Sequence, residues 1–132
     1  MSIPEEEMIG RVRHTCEAFN RGDFDSAMEG AHPEMVFTRV GVQSDLKGAE
    51  AVRAWMEPDA FESMRLEPVE FRVAGNKVLV RQLTTMRGAG SGIEMESDTW
   101  GLWTFDEDGR VTSVETFLQH EEDQAIRAFG AE

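Results

Sequence analysis

The amino-acid sequence predicts an α+β fold in which a curved antiparallel sheet wraps around N-terminal helices. In the first third of the chain, apolar residues recur at three- and four-residue spacing, which is typical of helices. From residue 65 onward, apolar and polar residues alternate, as they do in half-buried strands. Turn sequences rich in glycine, asparagine and aspartate separate the alternating segments and indicate hairpins.

The composition fits a single domain covering residues 1–132. The chain is 40% hydrophobic and 30% charged, which is ordinary for a globular protein with its own core. Its formal net charge is −13 and its basic residues are scattered, so we expect no nucleic-acid partner. Because the N-terminus is acidic and no apolar run approaches membrane length, we expect no membrane association and a cytoplasmic location.

Cysteine and histidine usage argues against a metal site. A lone cysteine, Cys16, excludes an internal disulfide, and no Cys/His cluster has the spacing of zinc ligands. The histidines His14, His32 and His120 are far apart in the sequence. We therefore expect no metal and no cofactor.

Four segments are predicted to be helical. The first, residues 4–21, begins with three glutamates that suit the positive end of a helix dipole. Asp23 caps a short second helix over residues 24–30, which ends before His32-Pro33 because proline disfavours helix in the preceding residue. Residues 48–56 form the third predicted helix, and residues 121–129 form the last.

Five segments are predicted to be strands. Residues 35–40 form a short strand between the second and third helices. Val69, Phe71 and Val73 alternate with polar residues in the segment that begins at residue 65. The turn Gly75-Asn76 and the glycine-rich loop 88–92 then delimit three more strands, over residues 77–87, 93–105 and 110–119.

Three stretches, taken together, resemble the SnoaL-like and ketosteroid isomerase-like branch of the nuclear-transport-factor-2-like superfamily. They are AFNRGDFDSAMEGAHPEMVF at residues 18–37, LKGAEAVRAWM at residues 46–56, and SGIEMESDTWGLWTFDEDGRVTSVETFLQHEEDQAIRAFG at residues 91–130. They cover nearly the whole chain in the family's order. The resemblance implies a cone-shaped cystatin-like roll with a ligand pocket between helices and sheet. It does not fix a function, because related folds host isomerases, cyclases, hydrolases and binding proteins.

The resemblance also implies where isomerase chemistry would reside. Ketosteroid isomerase uses an aspartate base, with a tyrosine and a protonated aspartate at the oxyanion. Similarity places Thr38 at the base, Thr15 at the tyrosine and Gly101 at the second aspartate. Neither a threonine nor a glycine supplies the required proton acceptor or donor, so we expect no steroid isomerisation of this kind.

The pocket lining is predicted from strand alternation, with the resemblance indicating the inward face. The inward residues, which include Val40 on the first strand and Thr112 on the last, carry apolar groups, neutral hydroxyls and one amide, which suits a small apolar organic molecule. The expected ligand-binding residues are Phe19, Thr38, Trp55, Gln82, Thr84, Met86, Thr99, Trp103 and Thr116. Gln82, Thr84 and Thr116 have an equally simple interpretation as residues that hydrogen bond one another and fill space.

Two ionisable residues are fallback candidates for catalysis. Asp98 faces outward by alternation, but a bulge near the glycine-rich hairpin would turn it into the pocket as a base. His32 precedes the first strand, where it would be either an acid or base at the pocket mouth or a loop histidine bonded to backbone. Apart from these two candidates, no residue is predicted to be catalytic.

The outward face of the predicted sheet combines charges with large apolar side chains. Arginines and carboxylates on neighbouring strands are expected to form ion pairs across the sheet. The apolar residues favour a partner surface, and family resemblance implies a homodimer. The proposed interface residues are Leu79, Leu83, Trp100, Leu102 and Phe117.

Two main functions follow, and the sequence leaves open whether the chain is an enzyme. The first is a binding or accessory protein for a small hydrophobic ligand, which the charge-free lining favours. The alternative is a cofactor-independent isomerase, cyclase or hydratase acting on a small hydrophobic carbonyl or polyketide-like substrate. A third interpretation is a scaffold whose cavity is filled by its own side chains.

Overall fold

The computed structural model describes residues 4–38, 46–56, 61–88, 92–118 and 122–129. The helices are α1 (Glu5–Asn20), α2 (Phe24–Ala27), α3 (Ala49–Met56) and α4 (Glu122–Phe129). The strands are β1 (Ala31–Thr38), β2 (Leu46–Lys47), β3 (Phe61–Ala74), β4 (Lys77–Gly88), β5 (Glu94–Phe105) and β6 (Val111–Leu118). In the described part of the chain, no helix is long and apolar enough to span a membrane.

The strands form one open sheet in the order β2-β1-β6-β5-β4-β3. This α+β architecture is the predicted one, but the sheet is mixed because β1 pairs with β6 in parallel. The chain between β1 and β6 includes α3 and three hairpin-linked strands, a connection long enough for a parallel pair. Some element bounds also differ: α2 ends at Ala27, β1 begins at Ala31 and β3 begins at Phe61. Strand β2 was not predicted.

Helix α1 is fixed to the edge strand β3 by one side chain. The amide of Asn20 donates to the Leu66 carbonyl at 2.8 Å and accepts from the Leu66 N–H at 2.7 Å. An edge strand presents unpaired backbone groups, and here a side-chain amide satisfies one such pair. The contact holds the C-terminal end of α1, with Phe19, against the inner face of the sheet.

The main core lies between the helices and the inner face of the sheet. Met8, Val12 and Cys16 form the buried stripe of α1, and they pack with inward residues of the central strands. The α1 stripe follows the predicted three- and four-residue spacing. The core is therefore built by one helical face and one sheet face, as layered α+β folds require.

A second apolar cluster lies on the outer face of the sheet, beneath α4. Leu79, Trp100 and Leu102 are fully buried there with Ala125 of α4, and Phe117 packs against them. The expectation that these residues form an open partner surface was therefore wrong for the three buried ones, because a helix of the same chain covers them. Leu83 is partly buried. The homodimer itself stays a prediction.

Candidate functional site

A cavity of about 100 Å³ lies between α1, α2, α3 and the inner face of the sheet. The helices and the turn after α2 contribute Thr15, Phe19, Ala27, Met28, Gly30 and Val52. The strands contribute Ala31, Met35, Phe37, Leu66, Gln82, Gly101, Trp103, Val111, Val114 and Thr116. None of these described lining residues carries an ionisable side chain.

The centre of the cavity floor is Gly101 on β5. In the strand register, Val80 of β4 lies on one side of it and Thr116 of β6 on the other. A Cβ at Gly101 would stand 3.3 Å from the Trp103 indole nitrogen, closer than side-chain contacts normally allow. The missing side chain thus leaves room both for the indole and for the hollow beside it.

The polar groups of the lining fall into two classes. The Thr15 hydroxyl donates to the Arg11 carbonyl at 3.0 Å, and the Thr116 hydroxyl donates to the Thr38 carbonyl at 3.0 Å. In contrast, neither the Gln82 amide nor the Trp103 indole N–H forms a side-chain hydrogen bond with another residue in the described ranges. Hydrogen bonds among Gln82, Thr84 and Thr116, the alternative interpretation of these residues, therefore do not involve the Gln82 amide.

Four of the predicted ligand-binding residues line the cavity: Phe19, Gln82, Trp103 and Thr116. Three others, Thr84, Met86 and Thr99, are not among the lining residues. Thr84 and Met86 lie on the Gln82 face but further toward the β4–β5 hairpin, opposite Ser97 and Met95. For Trp55, the backbone lies in α3 but its side chain is outside the described part, as are Val40 and His120.

Thr38 was predicted to line the pocket, but the inward position belongs to its neighbour Phe37. In the parallel ladder, Phe37 lies beside the cavity residue Val114, and Thr38 lies beside Glu115. Because strand side chains alternate, the inward position belongs to Phe37, an apolar ring that lines the cavity. The β1–β6 register is irregular between Ala31 and Val36, but Ala31, Met35 and Phe37 all line the cavity, so the inward set of β1 is the one that excludes Thr38. Phenylalanine, like threonine, cannot act as the carboxylate base at this position.

Asp98 lies on the outer face and forms an ion pair. The Arg81 guanidinium donates to its two carboxylate oxygens at 2.6 and 3.1 Å. These hydrogen bonds hold the pKa of Asp98 below its usual value, against the opposing effect of burial. The β4–β5 ladder runs without a register shift from Lys77 to Arg87, so the bulge that would turn Asp98 inward is not there. An ionised, paired carboxylate outside the cavity is a poor general base.

His32 is partly buried near the start of β1 and is not a lining residue. Its Nδ1 accepts a hydrogen bond from the Glu34 N–H at 3.0 Å. This local contact is the simpler of the two predicted interpretations, a histidine bonded to nearby backbone. Neither fallback candidate contacts the cavity.

Several lining residues could not be found from strand alternation. Ala27, Met28 and Val52 reach the cavity from α2, the following turn and α3, whose docking depends on tertiary packing. On β6, Val111 lines the cavity where Thr112 was expected to point inward. A bulge opposite Thr104 and Phe105 places an extra residue there and changes which side chain faces in.

An open cleft of about 580 Å³ adjoins the cavity on the side of α1. The two share Thr15, Gly30 and Val111 as lining residues. The cleft, unlike the cavity, is lined by ionisable side chains: Glu7, Arg11, His14 and Glu29. Among the described residues, no three His, Cys, Asp or Glu side chains lie close enough to hold a metal ion.

Cys16 is buried in the core beside the cavity but does not line it. Burial, and secondarily the Glu17 carboxylate, raises the pKa of its thiol to about 12. Since the thiolate is the reactive form, the thiol is inert at neutral pH.

The sequence profile of the SnoaL-like domain matches residues 12–114. No match to a curated protein is significant. Among solved structures, a nuclear-transport-factor-2-like protein of unknown function from Burkholderia pseudomallei is 24% identical, with a TM-score of 0.74 over 93% of this chain and 97% of that one.

Two further structures carry the names of enzymes. A putative SnoaL-like polyketide cyclase from Jannaschia sp. is 19% identical, with a TM-score of 0.76 over 100% of this chain and 97% of that one. An LEH-like epoxide hydrolase from M. tuberculosis is 18% identical, with a TM-score of 0.75 over 96% of this chain and 94% of that one. At these identities the likeness concerns the fold.

Proposed function

The chain belongs to the SnoaL-like domain family, and we propose that it binds a small, neutral, weakly polar organic molecule in its cavity, in a binding or accessory role. One observation carries this proposal: none of the described residues that line the cavity is ionisable. An unpaired charge is costly to bury, so a charge-free lining disfavours ionic ligands. The same lining offers no side chain suited to acid–base catalysis at neutral pH.

The size of the cavity limits the part of the ligand that fits inside. Its volume is about 100 Å³, whereas an engineered apolar cavity of about 150 Å³ binds benzene. The cavity is not fully enclosed, so part of a ligand can extend beyond it. We therefore assign the cavity to a single aromatic or alicyclic ring with at most a small substituent.

Gln82 and Trp103 supply the polar recognition of that ring. Both lack a side-chain hydrogen bond to other described residues, and both line the cavity. A carboxamide donates and accepts, and an indole N–H donates. A hydroxyl or carbonyl substituent on the ring would satisfy these groups, and a few polar contacts in an apolar pocket are what fix ligand orientation.

The enzyme alternative requires an ionisable group in contact with the ligand. Two described carboxylates and one imidazole line the adjoining cleft, namely Glu7, Glu29 and His14. An isomerase, cyclase or hydratase would have to hold its reacting atoms in that cleft. We favour binding because the described residues that line the cavity contribute only neutral groups.

A thermal-shift experiment with three ring-sized probes tests the proposal. Toluene and phenol at ten times their dissociation constants should add about 1.4 kcal/mol of stability, equivalent to about 5 °C in Tm for a chain of this size. Benzoate, of similar size but anionic, should give no shift. A benzoate shift equal to that of phenol, or no shift with any probe, would contradict the proposal.

Two variants make the experiment specific to the cavity. Gly101→Ala places a methyl group 3.3 Å from the Trp103 indole nitrogen and should reduce the toluene shift by displacing the ring. Thr85→Val changes the opposite face of β4, away from the lining, and should leave the shift unchanged. If toluene raises the Tm of Gly101→Ala as much as that of wild type, toluene binds outside the cavity.

A further inference from the structure

We infer that one neutral ligand occupies both the cavity and the adjoining cleft, with its ring in the cavity and a carbonyl-type acceptor oxygen bound by Arg11 in the cleft. This inference rests on the proposed function, since the ring must first bind in the cavity. It adds a second polar recognition point and a ligand class: a ring carrying a short chain that ends in a neutral acceptor.

The cavity and the cleft meet at Gly30. Gly30 lines both hollows, together with Thr15 and Val111. The Arg11 Nη1 lies 4.0 Å from the point where a Cβ at Gly30 would stand. The guanidinium therefore lies beside the wall that the two hollows share.

Arg11 has more hydrogen-bond donors than the described residues of the protein use. A guanidinium carries five N–H groups. Nη2 donates to Glu7 Oε2 at 3.1 Å, whereas Nε is shielded from solvent with no hydrogen-bond partner. Nη1 forms no hydrogen bond to another described residue. The side chain is 38% exposed, so the donors at its tip can be reached from the cleft.

The charges around Arg11 select the kind of acceptor. Two carboxylates, Glu7 and Glu29, line the same cleft, and Glu29 accepts a hydrogen bond from the Ser26 hydroxyl. The exposed His14 is the remaining titratable group that lines the cleft in the described part of the chain. Since two carboxylates outnumber one guanidinium, an anionic group would be repelled and would compete with Glu7 for Arg11. A ketone, ester or amide oxygen meets the free donors without that repulsion.

Gly10 is a second, independent sign that the cleft is kept open. It lies inside α1 and lines the cleft beside Arg11. Glycine in a helix interior is destabilising relative to alanine, yet nothing lies within 4 Å of the point where a Cβ would stand. Close packing against the protein therefore does not require a glycine here. A methyl group at this position would instead occupy space in the cleft.

The test measures dissociation constants by calorimetry for toluene, butylbenzene, 4-phenylbutan-2-one and 3-phenylpropanoate. Arg11→Met should weaken the binding of 4-phenylbutan-2-one about tenfold, the typical effect of losing a hydrogen bond to a charged donor. Toluene and butylbenzene should bind both proteins equally, and wild type should bind the carboxylate more weakly than the ketone. The control is Arg13→Met on the same helix, whose guanidinium stacks on the Phe71 ring at 4.7 Å and which should leave all four constants unchanged.

Gly10→Ala gives a readout that does not depend on removing a charge. Gly10→Ala should raise Tm because alanine favours the helix. It should weaken the binding of 4-phenylbutan-2-one several-fold and leave the affinity for toluene unchanged. If Arg11→Met leaves the ketone constant unchanged, or if the carboxylate binds best, the inference about Arg11 is wrong while the cavity proposal stands. If toluene does not bind the wild-type protein, the cavity proposal fails and this inference fails with it.

Discussion

Replacing Gln82 by leucine should stabilise the protein while weakening its binding of a polar ring. The Gln82 amide lines an apolar cavity and forms no side-chain hydrogen bond with another described residue. Leaving such a group unsatisfied costs about 1–3 kcal/mol when it is fully buried. Because Gln82 is partly buried, the lower end applies, and Gln82→Leu should gain about 1 kcal/mol, equivalent to about 3–5 °C in Tm.

Binding should change in the opposite direction for one probe only. Phenol should bind Gln82→Leu about five- to tenfold more weakly than wild type, as expected for one neutral hydrogen bond. Toluene, which has no polar group, should bind at least as tightly as before. Urea unfolding gives the stability change, and calorimetry gives the two affinities.

A loss of stability in Gln82→Leu would contradict the role proposed for Gln82. If Gln82→Leu destabilises the protein by 1 kcal/mol or more, the amide is part of a structural network and not an unoccupied recognition group. An unchanged phenol affinity would separately exclude Gln82 as a ligand contact.

Three further predictions concern the surrounding structure. Asn20→Ala should cost about 2 kcal/mol in urea unfolding, because it removes two hydrogen bonds to the Leu66 backbone at the sheet edge; a cost below 0.5 kcal/mol would contradict that role. Since the Arg81 contact lowers the folded-state pKa of Asp98, its stabilisation is present above the unfolded pKa of about 4 and is lost as pH falls. Asp98→Asn should therefore lose less stability than wild type on acidification below about pH 4. If the free energy of unfolding falls equally with pH in both proteins, the ion pair does not contribute to stability. The Cys16 thiol, with a pKa of about 12, should react with a disulfide reagent at neutral pH only as fast as the protein opens, and immediate native-state labelling would show that it is accessible.

The sequence predicted the cavity best where the sheet is regular. Along β4 and β5 the ladder has no register shift, so simple alternation assigned Gln82 and Trp103 inward and Asp98 outward. It failed on β1, where Phe37 and not Thr38 lines the cavity, and at the β6 bulge, where Val111 takes the place expected for Thr112. A bulge adds one residue to one strand and leaves no clear mark in a short apolar pattern.

The sequence pattern could not predict contacts between separate helices and strands. The packing of Ala27 and Val52 against the cavity depends on how α2 and α3 dock, which local periodicity does not fix. The same holds for α4, whose Ala125 covers Trp100 on the outer face. An apolar stripe on a strand indicates that something covers it, but not whether the cover comes from the same chain or from a partner.

The most direct test of the charge-free binding cavity is a toluene titration followed by methyl NMR of protein labelled with ¹³C at the methionine methyl groups. Met28 and Met35 line the cavity, whereas Met95 is exposed near the far end of β5. We predict saturable shifts for Met28 and Met35 with one common dissociation constant and no shift for Met95. Unchanged signals from Met28 and Met35 at saturating toluene would contradict the account.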